Sequence, residues 1–174
     1  MRTGGALMDA AALGAVPMMK GMPARSLTAI AAMMDERAYP DGALLLQQGE
    51  RLGGVYIVLE GEVRVTRTLP AGGSVSLATL GRGAALGTLA ALDGGPRGAS
   101  VFARGRVRCA VLPRDAFQEL MDGRTAVAIG FQHAVVQGLV RDVRATNRRL
   151  VELASLPDQS LSLQDLTGRL YGSS

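Results

Sequence analysis

Apolar and polar residues follow two different periods along this chain, and the points where one period gives way to the other divide it into parts. In ARSLTAIAAMMDER, residues 24–37, Leu27, Ile30, Ala31 and Met34 recur at helical spacing behind Pro23, with Asp35 and Glu36 near the end. That spacing predicts a short amphipathic helix. From Ala38 the period shortens. YPDGALLLQQGE, GGVYIVLEGEVRVTRTL, SVSLATLGRG, GASVFARG and RVRCAVL are short runs of strand-forming residues, punctuated by Gly42, Gly49, Gly61, Gly73, Gly81 and Gly83. Within YIVLEGEVRV the two halves alternate around Glu60 and Gly61 as a tight connection would. Short strands so evenly spaced predict a small antiparallel β jelly-roll barrel, and with the flanking helices the class is α+β.

After Pro113 the helical period returns. PRDAFQELMD carries Pro113 at a first-turn position, sets Phe117, Leu120 and Met121 on one side, and ends before Gly123. The run that follows, to Ala154, contains no proline. Its residues Ile129, His133, Val136, Val140, Val143, Asn147, Leu150 and Ala154 alternate steps of four and three, the spacing of a coiled-coil seam. A second stripe, Phe131, Val135 and Leu139, lies on an adjacent face. Either the whole helix lies on its own domain, or one stripe packs on the barrel while the other meets a partner. At 1.5 Å per residue a helix of this length projects past a barrel about 25 to 30 Å tall, which favours the second arrangement. The expectation is a parallel homodimer with Val136, Val140, Val143, Asn147 and Leu150 in the seam, Asn147 fixing the register. The chain thus divides into an N-terminal segment, residues 1–23, a barrel, 24–122, a long dimerisation helix, 123–154, and a tail, 155–174.

Composition sharpens this picture at a few points. Aromatic residues make up 3% of the chain and Trp is absent, so the core must be built from Val, Leu, Ile, Ala and Met. The single Cys109 cannot form an internal disulfide, and in VRCAVL it reads as a small buried strand residue. One His and one Cys exclude a multi-His metal site, a zinc site of the usual kind and a Ser-His-Asp triad. No set of nucleophile, base and oxyanion donors is evident, so a non-enzymatic role is expected. The N-terminal apolar run is broken by Asp9, Gly14 and Pro17, and no window approaches a membrane span; the expectation is a soluble, cytoplasmic protein without membrane association. A net charge of +4, carried mostly by Arg, permits nucleic-acid contact, but Arg141, Arg144, Arg148 and Arg149 are spaced as the solvated face of a helix.

The candidate chemistry lies in GTLAALDGGPRGASV, residues 87–101. A helical turn opening near Gly87 would present unpaired backbone N–H groups, which suit an anion. Arg97 supplies a planar fork for two oxygens of a phosphate, Gly98 and Ala99 let the backbone come close, and Ser100 can add a hydroxyl donor. Alternatively Arg97 serves local carbonyls or Asp93 in a pocket that binds no nucleotide.

With LLQQGE, VYIVLEGEVRV and this stretch in that order between a short helix and a long one, residues 24–154 resemble the cyclic nucleotide-binding domain family. The family's phosphate-binding cassette reads Gly-Glu, an apolar helical turn, a short loop, then Pro-Arg, a variable residue, Ala, and Ser or Thr. Gly87, Leu89, Ala90, Pro96, Arg97, Ala99, Ser100 and Val101 fall at the corresponding positions without a gap. Thr88 stands where the family has the glutamate that serves the ribose 2′-hydroxyl. The resemblance implies cyclic AMP or cyclic GMP as ligand and no other cofactor, with Gly87, Thr88, Leu89, Arg97, Ala99 and Ser100 as contacts. It also implies that a residue of the long helix covers the base, for which Asp142, Thr146 and Asn147 are candidates. In similar regulators of the catabolite activator type the long helix leads into a helix-turn-helix. Here SLQDLTGRLYGSS holds only the first turn of a following element, so sequence-specific nucleic-acid binding is not expected. Ser162 could cap a short docking helix bearing Leu163, Leu166 and Leu170, or the segment is a frayed end. The function expected is a regulatory domain that senses a cyclic nucleotide and signals through its long helix to a protein partner. The alternative is a ligand-free dimerisation or protein-interaction module on the same fold.

Overall fold

A computed structural model describes residues 8–51 and 53–155. The helices are α1 (Ala10–Gly14), α2 (Ala24–Ala31), α3 (Thr88–Asp93), α4 (Arg114–Asp122) and α5 (Ala126–Ala154). The strands are β1 (Asp35–Tyr39), β2 (Leu44–Leu46), β3 (Val55–Thr68), β4 (Ser74–Leu80), β5 (Ala85–Leu86) and β6 (Ser100–Leu112). All pairings are antiparallel, in the order β1-β6-β3-β4, with β2 also on β6 and β5 also on β3. The hydrogen-bonded path is open rather than closed, as befits a jelly roll.

Two long strands organise everything else. β3 and β6 pair along most of their length, and each changes its other neighbour midway. The first half of β3 takes β5 and its second half takes β4, while β6 gives Val101 and Phe102 to β2 and Val107–Val111 to β1. The change of neighbour coincides with register shifts around Glu60. Gly61 (φ +82°) and Gly105 (φ +71°) occupy the left-handed region there, which other residues enter only at a cost. A side chain at Gly61 would also overlap the Arg106 carbonyl. Glu60 and Gly61 are therefore a bulge in one continuous strand, not the tight connection expected from the alternation. Likewise GASVFARG and RVRCAVL belong to one strand: Gly105 bends β6 without ending it.

The kinked ladder encloses a core of Leu45, Leu46, Val58, Val63, Leu86, Val101, Ala103, Val107, Cys109 and Val111. Arg108 braces the outside, its guanidinium 2.7 Å from Glu36 on β1 and 2.6 Å from Glu60 on β3. These are partly exposed pairs and contribute modestly.

Three further boundaries differ from expectation. The strand period starts at Asp35, so the acidic pair Asp35 and Glu36 opens β1 instead of closing α2, which stops at Ala31. Pro113 caps α4 from just outside its first turn. The N-terminal segment contributes α1 and a 3₁₀ turn, Pro17–Met19, whose Leu13, Val16 and Met19 are fully buried.

Burial gives the sheet a pH sensitivity. The Cys109 thiol is pushed up from 9.0 to about 12 by burial alone. The Tyr39 hydroxyl is pushed from 10.0 to about 12, by burial first and then by the proximity of Tyr56. Both groups are neutral when protonated, so the folded state holds their protons more tightly than the unfolded chain does. Their contribution is complete below about pH 9 and is lost as the pH rises towards 12. Urea midpoints should therefore fall across that range, with a shallower fall in Cys109→Ala.

Candidate functional site: the Arg97 cradle

Along α5, Ala128, Phe131, Ala134 and Val135 are buried, and Phe131 meets Phe117 of α4 edge to face at 5.8 Å. Further on, Val136, Val140 and Val143 are 53%, 37% and 59% exposed. The chain divides into compact units at this point, after Val135. Asp142, Thr146 and Asn147 lie on the second unit's helix with their side chains exposed, and Leu150 is partly exposed. Residues 156–174, which include Ser162, Leu163, Leu166 and Leu170, lie outside the described residues.

The cassette is built in the first unit from two halves. In the first half, Gly87 caps α3 at φ +80° and ψ 9°, a left-handed conformation that turns β5 into the helix within one residue. Thr88, the first helical residue, is buried, whereas Leu89 beside it faces outward and is 68% exposed. In the second half, residues 97–100 are stitched to the turn at 47–50. The Arg97 N–H donates to the Glu50 carbonyl at 2.8 Å, and the Gly49 N–H donates to the Arg97 carbonyl at 2.8 Å. The Gln48 N–H donates to Ser100 Oγ at 3.0 Å, which leaves the Ser100 hydrogen available to a further acceptor. Gln48 itself is fixed by two hydrogen bonds between its amide and the Thr68 backbone.

Arg97 connects the halves. Its side chain crosses from the second half to the first, is only 5% exposed, and donates from Nη1 to the Gly87 carbonyl and from Nη2 to the Gly54 carbonyl, each at 2.6 Å. The Gly87 carbonyl also accepts the Ala91 N–H at 3.1 Å. Space for the guanidinium exists because glycines surround it: a side chain at Gly87 would overlap Nη1, and one at Gly53 would lie 2.6 Å from Nη2. Burial lowers the Arg97 pKa, Tyr56 and Glu50 partly oppose that shift, and Arg114 adds to it. A guanidinium retains its proton under such conditions, so the cradle holds a buried positive charge solvated by carbonyl oxygens. Asp93, the other partner considered for Arg97, accepts the Gly95 N–H at 2.7 Å.

Gly53, Gly54, Glu50 and Tyr56 complete this site and were not singled out by the sequence pattern. Their one signal was the Gly-Gly pair ahead of VYIV, which reads equally well as a turn. Among the described residues, no group of His, Cys, Asp and Glu gathers as a metal site, and no helix is long and apolar enough to cross a membrane.

An antiparallel jelly roll carrying a Pro-Arg cassette beneath a short helix defines a cyclic nucleotide-binding domain, and the chain belongs to that family, whose pattern it matches over residues 36–124. Its relatives are regulatory proteins. It is 26% identical over 134 residues to the CRP-like cAMP-activated global transcriptional regulator of Mycobacterium tuberculosis, a match covering 77% of this chain and 58% of that protein. It is 34% identical over 110 residues to the cAMP-dependent protein kinase type II regulatory subunit of Drosophila melanogaster, covering 63% of this chain and 29% of the subunit. The chain therefore spans little more than half the length of the first relative and under a third of the second. Among solved structures it resembles a cyclic nucleotide-binding domain from Methylobacillus flagellatus KT, with a TM-score of 0.73, 25% identity, and coverage of 85% of this chain and 83% of the other.

Proposed function

We propose that this chain is a regulatory domain that binds a cyclic nucleotide in the Arg97 cradle and passes the bound state to a protein partner through α5. The observation that carries the reading is the buried guanidinium, whose side-chain hydrogen bonds among the described residues run to the Gly87 and Gly54 carbonyls. A phosphate offers two charged acceptors in place of two neutral ones, and charge-assisted bonds are roughly twice as strong. Arg97 would then turn from the carbonyls to the phosphate, Ser100 would donate its hydroxyl hydrogen, and Gly87 and Ala99 would bring the backbone close. The relatives named for cyclic AMP support cyclic AMP as ligand, and the Ser100 hydroxyl leaves cyclic GMP a comparable candidate.

A second reading, a ligand-free interaction module, is favoured by Thr88 and by a guanidinium already supplied with acceptors. Calorimetric titration of the wild type and Thr88→Glu with both nucleotides separates the two. Ligand binding predicts heat from the wild type and tighter binding by Thr88→Glu, about tenfold or more from one added charge-assisted hydrogen bond. Heat from Thr88→Glu alone would identify a pocket that has kept its shape and lost its ligand.

The exposed Val136, Val140 and Val143, with Asn147 and Leu150 continuing the heptad spacing, support a parallel homodimer along α5. Light scattering at micromolar concentration should give twice the chain mass, and Val140→Asp combined with Val143→Asp should give a monomer. A monomeric wild type would overturn this.

A further inference from the structure

A second guanidinium shares the framework that holds Arg97. Arg114, the first residue of α4, donates from Nη1 to the Arg51 carbonyl at 3.1 Å, three residues along the chain from the Gly54 carbonyl that holds Arg97. Gly87 at the start of α3 accepts from Arg97, and Gly94 at its end lies near Arg114. A side chain at Gly94 would come within 3.5 Å of Arg114 Nη2. Arg97 thus joins the Gly54 carbonyl to the start of α3, and Arg114 joins the Arg51 carbonyl to the neighbourhood of its end. The positive charge of Arg114 is felt at Arg97.

Little opposes this charge. Among the described residues the ion pairs fall to Arg104 and Arg108, and none involves Arg51, Arg97 or Arg114. Glu50 is exposed and acts on Arg97, Asp93 is engaged with the Gly95 N–H, and Asp115 follows Arg114 on α4. The buried residue beside Gly87 is the neutral Thr88, so no carboxylate there repels a second anion. A cyclic mononucleotide brings one negative charge and leaves the other guanidinium without a counter-charge.

We propose that the site takes a ligand carrying two phosphate groups, the first held by Arg97 and the second by Arg114. The inference rests on the reading above that the cradle binds a nucleotide, and it narrows the ligand class. Two kinds of molecule offer this chemistry: a cyclic dinucleotide, with its phosphates in one ring, and a nucleoside bisphosphate, with both on one sugar.

The experiment is calorimetric titration of the full chain with cyclic AMP, cyclic di-GMP and adenosine 3′,5′-bisphosphate, for the wild type, Arg114→Ala and Arg114→Lys. Urea midpoints serve to confirm that each variant is folded. The expected result is that one of the two-phosphate probes binds about tenfold or more tightly than cyclic AMP. Arg114→Ala should erase most of that advantage while weakening cyclic AMP much less, and Arg114→Lys, which keeps the charge and loses the fork, should fall between. Whichever probe shows the Arg114-dependent gain identifies the source of the second phosphate. If cyclic AMP binds and neither probe is tighter, or if the advantage survives in Arg114→Ala, the two-phosphate inference falls and the cradle reading stands. If none of the three ligands binds the wild type and cyclic GMP, titrated in the same way, gives no heat either, both fall together.

Discussion

Arg97→Ala is expected to abolish cyclic-nucleotide binding in practice, at a cost of about 2 to 5 kcal/mol, while leaving the fold largely intact. The two effects separate because the side chain's two roles differ in value. As a structural tie, Arg97 makes two hydrogen bonds to carbonyls. After its removal the Gly87 carbonyl keeps the Ala91 N–H, and the Gly54 carbonyl can take water entering the vacated space. The stability lost should be about 1 kcal/mol, near the net value of an ordinary hydrogen bond. As a ligand contact, the same group is a buried cation facing a phosphate. Titration calorimetry reads the loss of affinity and urea unfolding the loss of stability. Arg97→Lys should recover part of the affinity, since it restores charge without the planar fork. Undiminished binding by Arg97→Ala would mean that Arg97 is only a tie and that the phosphate sits elsewhere.

Gly54→Ala should act in the opposite way, unfolding the domain before it reaches the ligand. The added methyl would overlap the carbonyl oxygen of Leu112 and lie 3.1 Å from the Pro113 Cα, both backbone. Val55, the next residue, pairs with Leu112, so relief requires moving the end of the β3–β6 ladder. The expected loss is about 3 kcal/mol, at the upper end of what overpacking costs. Gly98→Ala is the internal control: it lies in the cassette, but its added carbon meets nothing within 4 Å. A surface change of that kind should stay within about 0.5 kcal/mol of wild type. Equal midpoints for the two variants would show that the ladder end yields more easily than its geometry indicates.

The family and the cassette arginine were legible in the sequence because they are written in side-chain types at fixed spacing. Arg97, Ser100 and Gly87 do come together around one cradle. Its acceptors were not legible, since a backbone carbonyl has no letter of its own. That Gly54 faces Arg97 depends on a register joining segments 43 residues apart. Glycine caused the errors in the strands. At Gly61 and Gly105 the left-handed backbone bends a strand, whereas at Gly87 it starts a helix, and in one dimension both look like stops. The N-terminal helix was missed for another reason: Ala, Gly and Met in this segment give no clean period, although Leu13 and Met19 are fully buried. The exposed heptad stripe was visible from spacing, because the positions that pack within the first unit, Phe131 and Val135, form a separate stripe.

Cys109 gives this protein a built-in stopwatch. It is the chain's only cysteine, it has no exposed surface, and its thiol stays protonated well past neutrality. An alkylating reagent can therefore reach a reactive thiolate only in molecules whose sheet has opened around β6, and the labelling rate at neutral pH counts those openings. A ligand that binds the closed state alone slows the labelling by the factor 1 + [L]/Kd when the opening reaction is at equilibrium. One mass-spectrometric time course per candidate molecule would then rank nucleotides against one another with no tag, no added fluorophore and no assumption about which residues they touch.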